Sequence, residues 1–262
     1  MILECIPDSE HMKTWEKLAE QYGLRFEYND FFRPAVMEDD AKIDELIRLY
    51  TGLGRDTSED TVHGAFLDIT VCSSDPLIRN ASDFRVRQSI GITKRLGARG
   101  VVFHTNYLSD FKSLSYRDQW VEGSIRYWGN ICAEYPDVNI YLENMFDESP
   151  ELLSRVAQGL KAVPNFGVCL DIAHAFLSDV PVNEWLDALA PYVKHIHIND
   201  NDGKEDLHLP VGDGCIDWSV LSDRTLFRND PSVLIEVSGE DRLTASLRFL
   251  EKAGFLPGRK QR

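Results

Sequence analysis

The feature that most restricts this chain is its alternation. Short apolar segments rich in β-branched residues recur along its 262 residues, and most lead into a stretch whose apolar side chains return at helical spacing. Candidate strands run over Ile2 to Ile6, Leu24 to Tyr28, His63 to Ile69, Gly100 to His104, Asn139 to Glu143, Gly167 to Asp171, Val193 to Asn199 and Val233 to Val237. Helical patterns cover Ser9 to Tyr22, with Trp15, Leu18 and Tyr22 on one face, and Asp40 to Tyr50 behind an acidic cap region at Asp39 and Asp40. Others fall at about Arg85 to Leu96, Tyr116 to Glu134, Ser149 to Ala162, Val182 to Leu189 and Arg242 to Ala253, and the segment after Trp218 has no firm pattern. Strand followed by helix, repeated about eight times, specifies a parallel sheet. At this length the economical architecture is a single (β/α)8 TIM barrel spanning residues 1–262 as one domain. An open doubly wound sheet is the alternative. It is disfavoured because no Gly-x-Gly-x-x-Gly follows the first strand and no P-loop occurs.

Several of these strands finish on a residue that can bind a metal. VVFHT carries His104, IYLEN Glu143, VCLDI Asp171, IHIND His197 and VLIEV Glu236. In a barrel the C-terminal strand ends ring one mouth, so the active site is expected there, built from residues far apart in sequence. His174 and His208 lie in loops after strands, and His63 stands near the start of its strand on this reading. One such histidine would be read as structural. Five of them (His63, His104, His174, His197 and His208) together with Glu143, Asp171, Asp206 and Glu236 point to a divalent metal site.

The richest stretch is VKHIHINDNDGKEDLHLPVGDGCIDW, from Val193 to Trp218. Its opening alternation puts His195 and His197 on one face, with His195 one pleat deeper, as a core or supporting histidine. The loop beyond carries Asp206 and His208. Gly212 and Gly214 allow a tight turn there, with Asp213 a turn residue, and Lys204 is a candidate contact for an anionic substrate group such as a phosphate. Glu143 and Glu236 sit on strands with no lysine or arginine to pair them. Two glutamates facing across a metal suit proton removal and return on opposite faces of a sugar carbon. The stripe of Trp120, Ile125, Trp128 and Ile131 reads as core, Arg79, Arg85 and Arg87 as an exposed helix start, and His11 as solvated.

Composition narrows the partners. With 28 Lys+Arg against 43 Asp+Glu the net charge is -15, which opposes general binding to a phosphate backbone. The start, MILECIPDSE, has no basic region ahead of a long apolar run, and no segment approaches a membrane span, so a soluble, cytoplasmic chain without a membrane partner is expected. Cys5, Cys72, Cys132, Cys169 and Cys215 are odd in number and widely spaced, which fits buried thiols in a reducing compartment better than a disulfide frame.

With these motifs in hand (HGAFLD, VVFHT, YLEN, LDIAHA, HIHIND, EDLHLPVGDG and LIEV), the chain resembles the xylose isomerase-like barrel superfamily from about His63 to Glu236. That superfamily holds sugar and sugar-phosphate isomerases and epimerases and also endonuclease IV-type apurinic-site endonucleases. For the former, the resemblance implies one divalent ion (manganese, magnesium, cobalt or zinc) on Glu143, Asp171, His197 and Glu236. Glu143 and Glu236 would double as acid and base, and His174 would touch substrate oxygens. For the latter it implies three zincs, on His63, His104 and Glu143, on Asp171, His197 and Glu236, and on His174, Asp206 and His208. One to three ions per chain are therefore expected. In HGAFLD, Phe66 and Leu67 stand where the endonucleases place residues that wedge into DNA, and they either imitate these or simply pack. The charge balance and the wording of the Asn199–Trp218 loop favour a metal-dependent isomerase or epimerase of a small sugar or sugar phosphate over an abasic-site phosphodiesterase, with a non-catalytic ligand-binding barrel as a third reading. Barrels of this kind often form homo-oligomers, though no stretch marks an interface.

Overall fold

The computed structural model describes residues 2–109, 111 and 113–256. Among them, parallel strands β1 (Leu3–Cys5), β2 (Arg25–Tyr28), β3 (Thr61–His63), β4 (Gly100–His104), β5 (Asn139–Glu143), β6 (Phe166–Asp171), β7 (Val193–Ile198) and β8 (Ser232–Ile235) close into a barrel in sequence order. Closure is made by β8 pairing back onto β1, Leu3 with Val233 and Cys5 with Ile235. The alternation thus resolves as the closed barrel and not the open sheet.

Outside the strands run α1 (Met12–Tyr22), α2 (Pro34–Met37), α3 (Asp40–Thr51), α4 (Pro76–Leu96), α5 (Leu114–Glu134), α6 (Glu151–Leu160), α7 (Ile172–Leu177), α8 (Val182–Leu189) and α9 (Glu240–Lys252). Their apolar stripes face the barrel. Trp15 and Leu18 of α1, Trp120, Trp128 and Ile131 of α5, and Leu243, Leu247 and Leu250 of α9 are all buried. Among the described residues no helix is long and apolar enough to cross a membrane.

Two boundaries differ from the sequence reading. The third strand is Thr61–His63, so His63 closes its strand instead of opening it. The apolar run GAFLD mimics a strand, but Gly64 lies where a Cβ would stand 2.5 Å from the Phe103 ring, and Asp68 takes a positive φ of 65°. The run therefore leaves the sheet and folds over the mouth, where Phe66 packs edge-on against His104 at 4.7 Å between ring centres and Leu67 is exposed. Second, α4 starts at Pro76, with Asp75 capping Leu77 N. Arg85 and Arg87 are consequently mid-helix, paired with Glu38 and with Asp83 and Glu134, and only Arg79 lies near the helix start. The cysteines are free. Cys215 is exposed, against the expectation of a buried thiol, because its loop runs over the surface.

His104 pairs with Glu143 and Asp171 with His197, two levels of a staggered register, since Glu143 itself pairs with Cys169, and these strand-terminal side chains meet at the barrel mouth. Cys169 pairs with His195 one pleat below, the deeper position read from the sequence.

Candidate metal centre

The strand ends bring Glu143, Asp171, His197 and Glu236 together. Each offers one ligand atom, all lie within 4.8 Å of one another, and all four residues are buried. His197 Nδ1 stands 3.4 Å from both Glu143 Oε1 and Glu236 Oε2. His63, His104 and Glu143 form a second such group, with the imidazole Nε2 atoms 3.9 and 3.3 Å from Glu143 Oε2. His174 and His208 complete the set from the loops. Each donates its Nδ1–H to a main-chain carbonyl, of Asn144 at 2.9 Å and Glu236 at 3.0 Å. That bond fixes the ring, so both turn Nε2 onto Asp206 Oδ2, at 3.3 and 3.2 Å. The nine candidate ligands therefore gather at one mouth. Lys204 stands apart, exposed on its loop.

Local sequence explains the aim of each group. Asp171 caps α7, its Oδ1 accepting from His174 N at 2.6 Å, which leaves Oδ2 turned to the centre. Asn144, directly after Glu143, clamps β5 to β6: its Oδ1 accepts from Asp171 N and its Nδ2 donates to Asp171 O, both at 2.9 Å.

The buried donors fit a cation. Both oxygens of Glu143, Oδ2 of Asp171 and both ring nitrogens of His197 are buried without a hydrogen-bond partner. Each such atom costs about 1–3 kcal/mol unless something polar meets it. Burial pushes the Asp171 carboxyl up to about 7, opposed by the charge of His174 and reinforced by those of Glu236 and Glu143. Burial acts on Glu143 in the same sense, yet the surrounding imidazoles, His197 foremost, hold it well below the usual carboxylate range. A donor set of imidazole and carboxylate without thiolate suits zinc, manganese, cobalt or magnesium. Cys169 adjoins His195 and His197, but burial keeps its thiol protonated.

Two functional groups escape the sequence reading. Glu27 of β2 is fully buried, with Oε2 3.0 Å from His195 Nε2 and 3.5 Å from His197 Nε2. Burial would raise its carboxyl, but the charge of His197 and the hydrogen bond from His195 hold it well below the ordinary range. The available signal is a carboxylate between two aromatic residues of a short strand, Phe26 and Tyr28, a residue type seldom fully buried without a partner. The other is Asp200, in the Asn199–Trp218 loop. Its carboxylate accepts from Asn201 N (3.0 Å), Gly212 N (2.9 Å), Ile216 N (3.1 Å) and Trp218 Nε1 (2.8 Å), and its main chain bridges to Leu209. It folds the loop that presents Asp206 and His208. Gly214 is required there, since a Cβ would lie 2.3 Å from Asp200 Oδ1. Asp200→Ala leaves these donors unanswered and is expected to cost about 3 kcal/mol, read as a lower urea midpoint with m unchanged. A midpoint shift below a third of that would show that the loop holds its shape without the carboxylate.

A closed parallel barrel whose mouth collects buried imidazoles and carboxylates defines a (β/α)8 protein with a candidate site for divalent metal. The chain belongs to the xylose isomerase-like TIM barrel family, whose profile it matches over residues 17–253. Two uncharacterized proteins of Methanocaldococcus jannaschii are each 28% identical to it, over 170 and 162 residues. Each match covers 61% of this chain but only 57% and 62% of those proteins, so less than two thirds of their length is spanned. A probable endonuclease 4 of Mycobacterium leprae is 26% identical over 194 residues, 69% of this chain and 73% of its own. Among solved structures, a D-tagatose 3-epimerase-like protein superposes with a TM-score of 0.75 at 22% identity, over 96% of each chain. A Thermus thermophilus protein soaked with zinc chloride gives 0.72 at 26% identity, over 98% of this chain and 100% of its own.

Proposed function

We propose that this protein is a divalent-metal-dependent isomerase or epimerase of a small sugar or sugar phosphate. The observation that carries the reading is the meeting of two glutamates, Glu143 from the end of β5 and Glu236 from just beyond β8, at one centre with Asp171 and His197. When bound there, a manganese, zinc, magnesium or cobalt ion polarises a carbonyl oxygen and stabilises negative charge on it. Glu236, the more open at 7% exposed against 1% for Glu143, takes the proton from the carbon beside the carbonyl. Glu143, on the other side of the centre, returns a proton to the opposite face or the neighbouring carbon. His174 orients a substrate oxygen, whereas Lys204, exposed on its loop and apart from the centre, is given no role. A cavity of about 760 Å³ meets the candidate ligands at His104 and runs from there between the segment of residues 67–74 and α5, a volume in the small-molecule range beside the centre. The net charge of -15 supports a small substrate over a nucleic-acid duplex.

One observation favours a second reading. Four imidazoles, those of His63, His104, His174 and His197, stand within 3.9 Å of Glu143, and Asp206 gathers two more ring nitrogens. So many donors exceed what one ion needs, and several ions together favour phosphoester hydrolysis, in which water is activated and the leaving oxygen steadied. Candidate ketoses and their phosphates, incubated with manganese-loaded protein in deuterated water, decide between the two. Proton NMR should show exchange at a carbon next to the carbonyl. No exchange with any sugar, together with nicking of an abasic-site duplex by protein carrying three zincs, would install the hydrolytic reading instead.

A further inference from the structure

Beneath the candidate centre lies a second polar layer, made of side chains that point into the barrel one pleat deeper. Arg99 donates to Glu4 Oε1 at 2.7 Å and to Ser232 Oγ, and Thr61 Oγ1 lies between Glu4 and Glu27, 2.9 Å from Glu27 Oε2. His195 spans Ser232 Oγ and Glu27 Oε2 with its two ring nitrogens. The direction of these bonds follows from the chemistry. An ionised carboxylate only accepts, so His195 gives Glu27 its Nε2 proton and takes one from the Ser232 hydroxyl at Nδ1. Glu27 Oε1 has no partner, and Oε2 lies 3.5 Å from Nε2 of His197.

His197 therefore stands between two acidic surroundings. Its Nδ1 faces Glu143 and Glu236, and among the described residues the carboxylate within 4 Å of its Nε2 is that of Glu27, with the Cys169 thiol also beside the ring. A neutral imidazole has a single N–H, and the nitrogen that keeps it is decided by the acceptor on offer. We infer that Glu27 is the positioning residue for His197: its carboxylate holds the ring proton on Nε2 and so reserves the Nδ1 lone pair for the cation. This rests on the reading of His197 as a cation ligand. The deeper network then has a purpose, since Thr61 and His195 fix Glu27 at the one height in the barrel from which it reaches Nε2. A carboxylate behind a ligating imidazole also makes the ring more basic, and losing such a partner ordinarily costs about 10- to 100-fold in metal affinity.

The test uses the full chain and Zn²⁺ as the probe. Glu27→Gln keeps the shape but removes the charge, and its zinc dissociation constant, measured by competition with a chromophoric chelator, should rise about 10- to 100-fold with an unchanged circular dichroism spectrum. A constant within twofold of the wild type overturns the inference. His197→Asn is measured alongside. If it loses zinc while Glu27→Gln does not, the positioning role fails and the ligand reading stands, whereas if His197→Asn binds zinc as tightly as the wild type, the ligand reading itself fails. Should Glu27→Gln not fold, the zinc-loaded wild type labelled with ¹⁵N-histidine still decides. Two-bond proton–nitrogen correlations should place the His197 ring proton on Nε2 and the ligated shift on Nδ1, and the reverse assignment overturns the inference.

Discussion

Chelating the bound cation should lower the midpoint of thermal unfolding by about 10 °C at pH 8 and by far less at pH 5. A ligand that binds only the folded chain, present at about 1,000 times its dissociation constant, stabilises it by about 4 kcal/mol. In a chain of this length each kcal/mol moves the midpoint by about 2–4 °C. The pH dependence follows from Asp171, whose carboxyl rises from an ordinary 3.8 to about 7 on burial. Between those values the folded chain binds a proton that the unfolded chain does not. Metal-free stability is therefore highest below about pH 4 with respect to this group, and it falls as pH climbs through 7. His174 and His197 are also held well above the ordinary imidazole value, though burial opposes it, His174 chiefly by the charge of Asp171 and His197 by its acidic neighbours, and they extend the decline. The cation works in the opposite sense, because its ligands must be deprotonated to receive it. Melting curves with and without chelator should thus separate as pH rises. Equal shifts at pH 5 and pH 8 would mean that the ion sits elsewhere.

Sequence makes the outer logic of this molecule readable and leaves its inner logic hidden, for a physical reason. Helical and strand periodicities report which side chains face the apolar layer between barrel and helices, so the order of elements, the stripe of Trp120 and Trp128, and the metal-competent residues at strand ends can all be found from spacing. Periodicity is blind to the contents of the barrel. Glu4, Glu27, Thr61 and Ser232 occupy single inward positions on strands three or four residues long, too short for alternation to register. Asp200 is a different case. In the chain it is one of several loop acids between Asn199 and Asp206, and only the convergence of donors from Gly212, Ile216 and Trp218 sets it apart. His63 is recognisable as a candidate, yet spacing puts it at the wrong end of its strand, because GAFLD is apolar enough to pass for sheet, and the close approach of Phe103 that makes position 64 a glycine comes from the next strand.

The two central glutamates should answer differently to the same chemical change. Glu143 is enclosed by four imidazoles, whereas Glu236 has His197 at 3.4 Å, His208 at 3.9 Å and Asn199 Nδ2 at 3.5 Å, and retains more exposure. A carboxylate that moves a proton must meet the substrate carbon, and one whose oxygens are ringed by ligating groups is better placed to hold a cation. Glu236→Gln is therefore expected to lower turnover by about 10³-fold, within the range for losing a general base and equal to about 4 kcal/mol of barrier. The loss should persist at saturating manganese. Glu143→Gln should lose activity both through weaker cation binding and through the proton it no longer returns, so raising manganese restores only the part owed to binding. Deuterium incorporation into the substrate, followed across a manganese titration, separates the two. If added manganese restores Glu236→Gln to within tenfold of the wild type, Glu236 serves only as a ligand, and the proton must be moved by another group at the mouth, with His174 the first to replace.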